Sequence, residues 1–205
     1  MSPVVNASNL RTLRQTLRKQ RNMLSSKQRL EAANRATHHL LRAPWLQRKA
    51  HVGVFLSSDG ELPTEPLIAA LHARGHQLYL PVLAQPLPHP MLFAHWTPDE
   101  PLKPNRYGIL EPINRQYRHG CQLDVVITPL VAFDAQGQRL GMGGGYYDRT
   151  FACRKIGTRK KSGTPLLIGW AYAFQQVGAL PAQPWDVSLN GVITENGVQR
   201  FTHKN

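Results

Sequence analysis

The sequence has no apolar run long enough to cross a bilayer. Its longest near-apolar stretch, Val125 to Phe133, is interrupted by Thr128 and Pro129 and falls well short of the roughly 20 residues a spanning helix needs. Met1 to Gln20 lacks the apolar segment of a secretory signal and carries Arg11, Arg14, Arg18 and Lys19 instead. Cysteine is nearly absent. With only Cys121 and Cys153, no disulfide framework is expected, and no Cys/His spacing suits zinc. Membrane, secreted-scaffold and zinc-finger classes are set aside, and the cytoplasm is the expected compartment. Acidic side chains are scarce too: twelve against twenty-five Lys and Arg, a formal net charge of +13.

What is present is a globular composition, 41% hydrophobic and 18% charged over 205 residues, enough for one sizeable α/β domain. The basicity is local. Residues 1–50 hold eleven Lys/Arg against Glu31 alone, and the run Arg154 to Lys161 adds five cations with no acid. Such charge suits an anionic partner: nucleic acid, a phosphorylated nucleotide or a polyanionic small molecule. Solvated helix faces explain it equally well. The aromatics are not interleaved with the cations as stacking on single strands requires, which weakens the nucleic-acid option.

Asn9 is placed to cap a helix from Leu10, with Leu10, Leu13, Leu17 and Leu24 roughly on one face. Ser25 or Ser26 caps a second helix to about Arg42, where Pro44 stops it. His51 to Leu56 reads as a buried strand, Thr64 caps a helix ending at Gly75, and Leu78 to Val82 reads as the next strand. That order is a βαβ unit and predicts a parallel sheet faced by helices. Met91 to His95, Val125 to Thr128, Leu166 to Ala171 and a late loop and strand from Trp185 to Ile193 supply further strands. Ala84 to Pro90 and Thr97 to Pro112 read as irregular. No repeat or linker divides the chain.

The strongest local signal runs from Arg139 through Leu140, Gly141, Met142, Gly143, Gly144, Gly145, Tyr146 and Tyr147 to Asp148 and Arg149. Four glycines in five positions let backbone N–H groups approach an anion unobstructed. The segment is neither a Walker A loop, having no GK[ST], nor a dinucleotide fingerprint. By spacing alone it is a phosphate loop or a tight turn. Asp148 is placed either for a magnesium ion beside phosphates or for a helix cap, and Asp186 either for the same ion or for a loop turn. Arg139 and Arg149 flank the glycines, where they neutralise phosphate oxygens or stand as surface charges. In FLSSDGELPT, Phe55 to Thr64, Glu61 lies beyond a strand's carboxyl end. It either accepts N–H groups of a heterocycle or complements the dipole of the following helix. Trp96, Tyr107 and Trp170 fit a core or rim role better than a ligand contact.

Together these pieces resemble the 5-formyltetrahydrofolate cyclo-ligases, also called methenyltetrahydrofolate synthetases, most closely the bacterial branch. The likeness runs from about Leu10 to Thr194 through LRxxLRxxR, FLSSDGELPT, YLPVL, YGILEP, ITPLVAFDAQGQRLGMGGGYYDR and LIGWAYAFQ. It implies a three-layer α/β/α fold with a mostly parallel Rossmann-like sheet. One domain would span 1–205, with an N-terminal helical pair and flexible residues 1–8 and 200–205. It implies conversion of 5-formyltetrahydrofolate and ATP, with magnesium, to 5,10-methenyltetrahydrofolate, ADP and phosphate by a monomer with no nucleic-acid or membrane partner. On this likeness ATP lies between Arg11 and Arg14 and the loop Arg139 to Tyr147. Arg139, Arg149 and Tyr146 serve catalysis, and Asp148 and Asp186 hold Mg2+. The folate, polyglutamylated or not, lies against Leu56 and Glu61 and extends toward Met142, Gly143, Gly144, Gly145 and Tyr146. The chain departs from relatives at Leu10, where many carry lysine, at Met142 and Gly144, basic in some, and at Asn190, an acid in part of the family. The run Arg154 to Lys161 has no family role: it is a solvated loop or attracts the folate's glutamate tail.

Overall fold

The computed structural model describes residues 9–83, 89–105, 108–113, 116–154 and 164–202. The expectations for residues 84–88, Tyr107, 155–161, 1–8 and 203–205 lie outside them. In chain order the structure builds α1 (Leu10–Met23), α2 (Ser26–Arg42), β1 (His51–Gly53), α3 (Glu65–Ala73), β2 (Gln77–Val82) and β3 (Leu92–Trp96). Next come β4 (Leu102–Pro104), β5 (Leu110–Pro112), β6 (Tyr117–His119), β7 (Val125–Pro129), β8 (Ala132–Phe133) and β9 (Arg139–Leu140). The chain then forms α4 (Tyr146–Thr150), β10 (Leu166–Trp170), β11 (Gly191–Thr194) and β12 (Gly197–Arg200).

Eight strands form one sheet in the order β12-β11-β10-β7-β1-β2-β3-β6. The five from β11 to β2 are mutually parallel, and β12, β3 and β6 join antiparallel at the edges. Parallel strands need both faces covered, and the pleat divides the apolar residues accordingly. Val125 and Ile127 join the core beneath α2 and α3, while Val126 joins the opposite one with Phe93, Phe151 and Leu189. The expected three layers are unequal. That second face is covered by the five-residue α4, short 3-10 turns and loops rather than long helices.

The two N-terminal helices pack separately. Ser25 caps α2 with a full capping box, its hydroxyl accepting from the Gln28 N–H and the Gln28 side chain accepting from the Ser25 N–H. The α1 stripe of Leu10, Leu13 and Leu17 instead lies against Val131, Ala132 and Leu140 of the β8–β9 ribbon. Asn9 sits in the helical region and makes no side-chain cap. Thr64 does not cap α3 either, because its hydroxyl accepts the Ser57 N–H at 3.1 Å and closes the loop after β1. The 97–112 region contains the β4–β5 hairpin. Arg200 ends β12 and Phe201 is 9% exposed.

The largest departure concerns the cysteines. Cys121 and Cys153, 32 residues apart with Cα atoms 6.8 Å from each other, are joined in a disulfide. The bridge ties the turn Gly120–Gln122 to the turn Ala152–Arg154, just beyond α4. Gly120 permits the approach: a Cβ there would meet Thr150 Cγ2 and Phe151 Cε1 at 2.8 Å. A loop of this length constrains the unfolded chain by about 3–4 kcal/mol. Urea unfolding with and without a dithiol should therefore show a lower midpoint for the reduced protein. Coincident curves would mean the bridge contributes nothing.

Candidate functional site

The strands β1 and β7 are sheet neighbours, but the chain leaves β1 for β2 on one side and β7 for β10 on the other. Their following loops diverge, and at this switch of direction an α/β sheet leaves a crevice beyond its carboxyl edge. A cleft of about 990 Å³ opens there, reached by Glu61 after β1, Pro129 and Leu130 after β7, and the whole segment from Arg139 to Arg149.

The segment Gly141–Gly145 links β9 to α4 along this cleft. Gly143, at φ +102°, and Gly145, at φ +63°, occupy backbone conformations that side chains disfavour. A Cβ on Gly143 would meet nothing closer than Arg14 Nη2 at 3.9 Å, so the backbone here faces open space. The α1 helix braces the loop, its Arg14 Nε donating to the Gly141 carbonyl at 2.8 Å.

Two arginines flank the glycines. The Arg139 side chain is 6% exposed; its Nη2 donates to Asp148 Oδ1 at 2.7 Å, and its guanidinium lies 5.6 Å from the Tyr147 ring centroid. Arg149 Nη2 donates to the Gly144 carbonyl, with the guanidinium over the Tyr146 ring. In both, Nε is buried without a partner. An unpaired buried N–H is costly, by about 1–3 kcal/mol, and two beside a glycine loop suit a site completed by an anion. Burial pushes the Tyr147 phenol well above its ordinary value, against the pull of Arg139, so it remains a protonated donor.

The opposite wall carries Glu61. Its Oε2 accepts the Ser58 N–H at 2.9 Å and its Oε1 lies 3.8 Å from Arg21 Nη1. Burial raises its carboxyl above the usual range, while the Ser58 amide and Arg21 pull it back. A half-buried carboxylate held this way can accept N–H groups of a planar heterocycle.

Asp148 and Asp186 both line the cleft. Asp148 Oδ1 also accepts the Val187 N–H at 3.1 Å, and Asp186 Oδ2 accepts the Gln183 N–H at 2.8 Å. The described residues contain no cluster of three or more potential metal ligands. Two carboxylates beside the glycine segment nevertheless suit magnesium, which binds through one or two acids plus phosphate and water oxygens, so the donor set fits.

The structure thus brings together Arg14, Arg139, Arg149, Leu140, the glycines, Met142, Tyr146, Tyr147, Glu61, Asp148 and Asp186. It does not bring in Arg11, which is exposed on α1 outside the cleft, or Leu56, which packs half-buried on the core beneath α2 and α3. Trp96 and Trp170 are core residues, Trp170 Nε1 donating to the Leu62 carbonyl. Sequence reasoning missed the apolar wall of Leu83, Met91, Ile109 and Trp185. These come from separate elements, and only the place of Trp185 beside Asp186 hinted at it. Trp185 is 65% exposed at the cleft.

Residues 6–195 match the 5-formyltetrahydrofolate cyclo-ligase family. A 5-formyltetrahydrofolate cyclo-ligase of Haemophilus influenzae is 39% identical over 191 residues, covering 92% of this chain and 99% of that one. Its counterpart in Escherichia coli K12 is 40% identical over 184 residues, 89% and 98% of the two chains. An NMR structure of Aquifex aeolicus 5,10-methenyltetrahydrofolate synthetase superposes with a TM-score of 0.79 at 26% identity, covering 96% of this chain and 95% of that one. With nearly the whole length matched, the chain belongs to the 5-formyltetrahydrofolate cyclo-ligase family.

Proposed function

We propose that the cleft converts 5-formyltetrahydrofolate and ATP into 5,10-methenyltetrahydrofolate, ADP and phosphate. One observation carries the reading: a half-buried carboxylate, Glu61, and an open glycine backbone flanked by two arginines face one cleft. The first suits a pterin, the second a triphosphate.

The chemistry needs both held together. A formamide oxygen does not leave as hydroxide. Attack of that oxygen on the γ-phosphate of ATP releases ADP and turns the oxygen into part of a phosphate leaving group. The folate N10 then adds to the activated carbon and loses its proton; phosphate departs, and the five-membered ring is closed. No enzyme nucleophile is needed. The two cysteines are in any case paired with each other. The protein's work is alignment and charge neutralisation.

Glu61 orients the pterin through its N–H groups. The amides of Gly141–Gly145 cradle the phosphates, Arg14 braces that cradle, and Arg139 and Arg149 neutralise charge developing on the transferred group. Tyr146 and Tyr147 hold the two guanidiniums in place by their rings. Asp148 and Asp186 would hold magnesium, which would supply further charge neutralisation. Residues 1–205 act as one domain, working as a monomer in the cytoplasm where ATP is supplied.

The primary test is methenyl absorbance, expected only when ATP and magnesium are both present; product formed without ATP would end the reading. Asp148→Asn keeps an acceptor for the Val187 N–H while removing the charge. It should lower kcat about 100-fold or more and, by leaving the buried Arg139 guanidinium without its counter-charge, also lower the melting temperature; wild-type turnover at saturating magnesium would refute the assigned role. Gly143→Val places a branched side chain at φ +102° in the open cleft. The ATP KM should rise about tenfold or more, through the cost of that conformation and the space taken. Normal ATP binding would show that the loop is not the phosphate cradle.

A further inference from the structure

Arg21 is 1% exposed, the largest of the fully buried side chains among the described residues, and nothing in the reaction uses it. It sits on α1, behind Glu61 and outside the cleft lining. Its Nη2 donates to Asp59 Oδ2 at 2.9 Å, and its Nη1 reaches the Leu130 carbonyl at 3.4 Å and lies 3.8 Å from Glu61 Oε1. One guanidinium therefore joins α1, the loop after β1 and the end of β7, the three pieces that meet where the sheet switches direction. Asp59 is drawn into the same knot. It is, among the described residues, the non-glycine residue with positive φ, +49°, and it also accepts from Arg18 Nε at 2.6 Å and Asn22 Nδ2 at 3.1 Å. The Asp59–Gly60 turn is pressed onto α1, since a Cβ on Gly60 would lie 2.5 Å from Asn22 Oδ1.

We infer that Arg21 is a positioning residue for the folate half of the site: its buried guanidinium keeps Glu61 charged and aimed into the cleft. The inference rests on Glu61 being the pterin acceptor. Among the described residues, the groups facing Glu61 leave Arg21 as the cation for that task. Its own loop offers the Ser58 N–H and the repelling charge of Asp59; α4 presents Tyr147, an uncharged phenol; the turn after β10 presents Tyr172, whose hydroxyl donates to the Glu61 carbonyl at 3.3 Å. Burial pushes the Tyr172 phenol up to about 12, so it too is neutral. Burial alone drives Glu61 toward protonation, and a protonated carboxyl presents an O–H where an acceptor is wanted. Arg21 opposes that drive. Being walled off from the cleft, it acts only through its neighbours.

Steady-state kinetics with the intact enzyme can read this. Arg21→Met should raise the KM for 5-formyltetrahydrofolate about tenfold or more while the ATP KM stays within about threefold. The acid limb of kcat/KM for the folate should move up by about one pH unit, because an unopposed buried carboxyl stays protonated to higher pH. Arg21→Lys, which keeps the charge, should restore that limb. Asp59→Asn, which loosens the turn and removes a repelling charge but leaves the guanidinium in place, should not move it upward. A purely structural role would shift both KM values alike and leave the limb untouched in every variant, which would overturn the inference. If Arg21→Met does not fold, Arg21→Lys decides: a folate KM about threefold higher with an unchanged ATP KM is expected, and wild-type values for both would refute it. Glu61→Gln separates the two claims. Wild-type folate affinity in that variant would remove the pterin assignment and the inference with it. Lost affinity there, with Arg21→Met behaving as wild type, would leave the assignment standing and overturn only the role of Arg21.

Discussion

The geometry of this protein depends on one topological constraint. Five parallel strands must have their crossovers on the sheet's two faces, and between β1 and β7 the direction of travel across the sheet reverses. Loops leaving adjacent strands in opposite directions cannot pack on each other, so an opening is built in at the carboxyl edge. The residues with chemical work sit where those loops begin or return: Glu61 shortly after β1, Leu130 after β7, and the glycine segment where β9 turns into α4. The ribbon β8–β9 matters for the same reason. It carries Arg139 back to the rim and gives α1 an apolar bed, so that Arg14 reaches the Gly141 carbonyl from above.

Electrostatically the cleft is held ready rather than relaxed. Arg139 is committed to Asp148 yet keeps a buried N–H unmatched, and Arg149 turns back onto its own loop carbonyl with the same deficit. Such groups cost stability in the free protein and cost little reorganisation when an anion enters, which is the usual trade at a preorganised site. Glu61 shows the converse arrangement, a charge kept in a half-buried place by a cation that never meets the ligand.

Much of this was legible in the residues. The βαβ unit from β1 to β2 followed from a Val-rich run, a Pro-started helix ended by Gly75 and a second apolar run, all local signals. The serine cap of α2 and the glycine segment were readable for the same reason. What stayed hidden depends on distant partners. β4, β5 and β6 are three residues each with a single buried position among them, Pro112, so no alternation is long enough to register, and β12 shows only a weak one. Arg21 looks like one more cation on a basic helix until the loop after β1 folds over it. The cysteines, 32 positions apart, gave no hint of pairing, because their proximity arises from Gly120 resting on Thr150 and Phe151. Arg11 fell on the wrong side of a helix whose register toward the ribbon was decided by leucines rather than by charge.

The indole at the rim gives the molecule its own optical gauge. Of the four tryptophans, Trp96 and Trp170 are sealed in the core at 6% and 2% exposure, and Trp45 is partly covered beneath Arg200, whereas Trp185 stands 65% open beside Asp186. A water-soluble quencher such as acrylamide collides chiefly with that single ring. Filling the space in front of it would shield it, so the emission of the native chain can follow occupancy without any label attached.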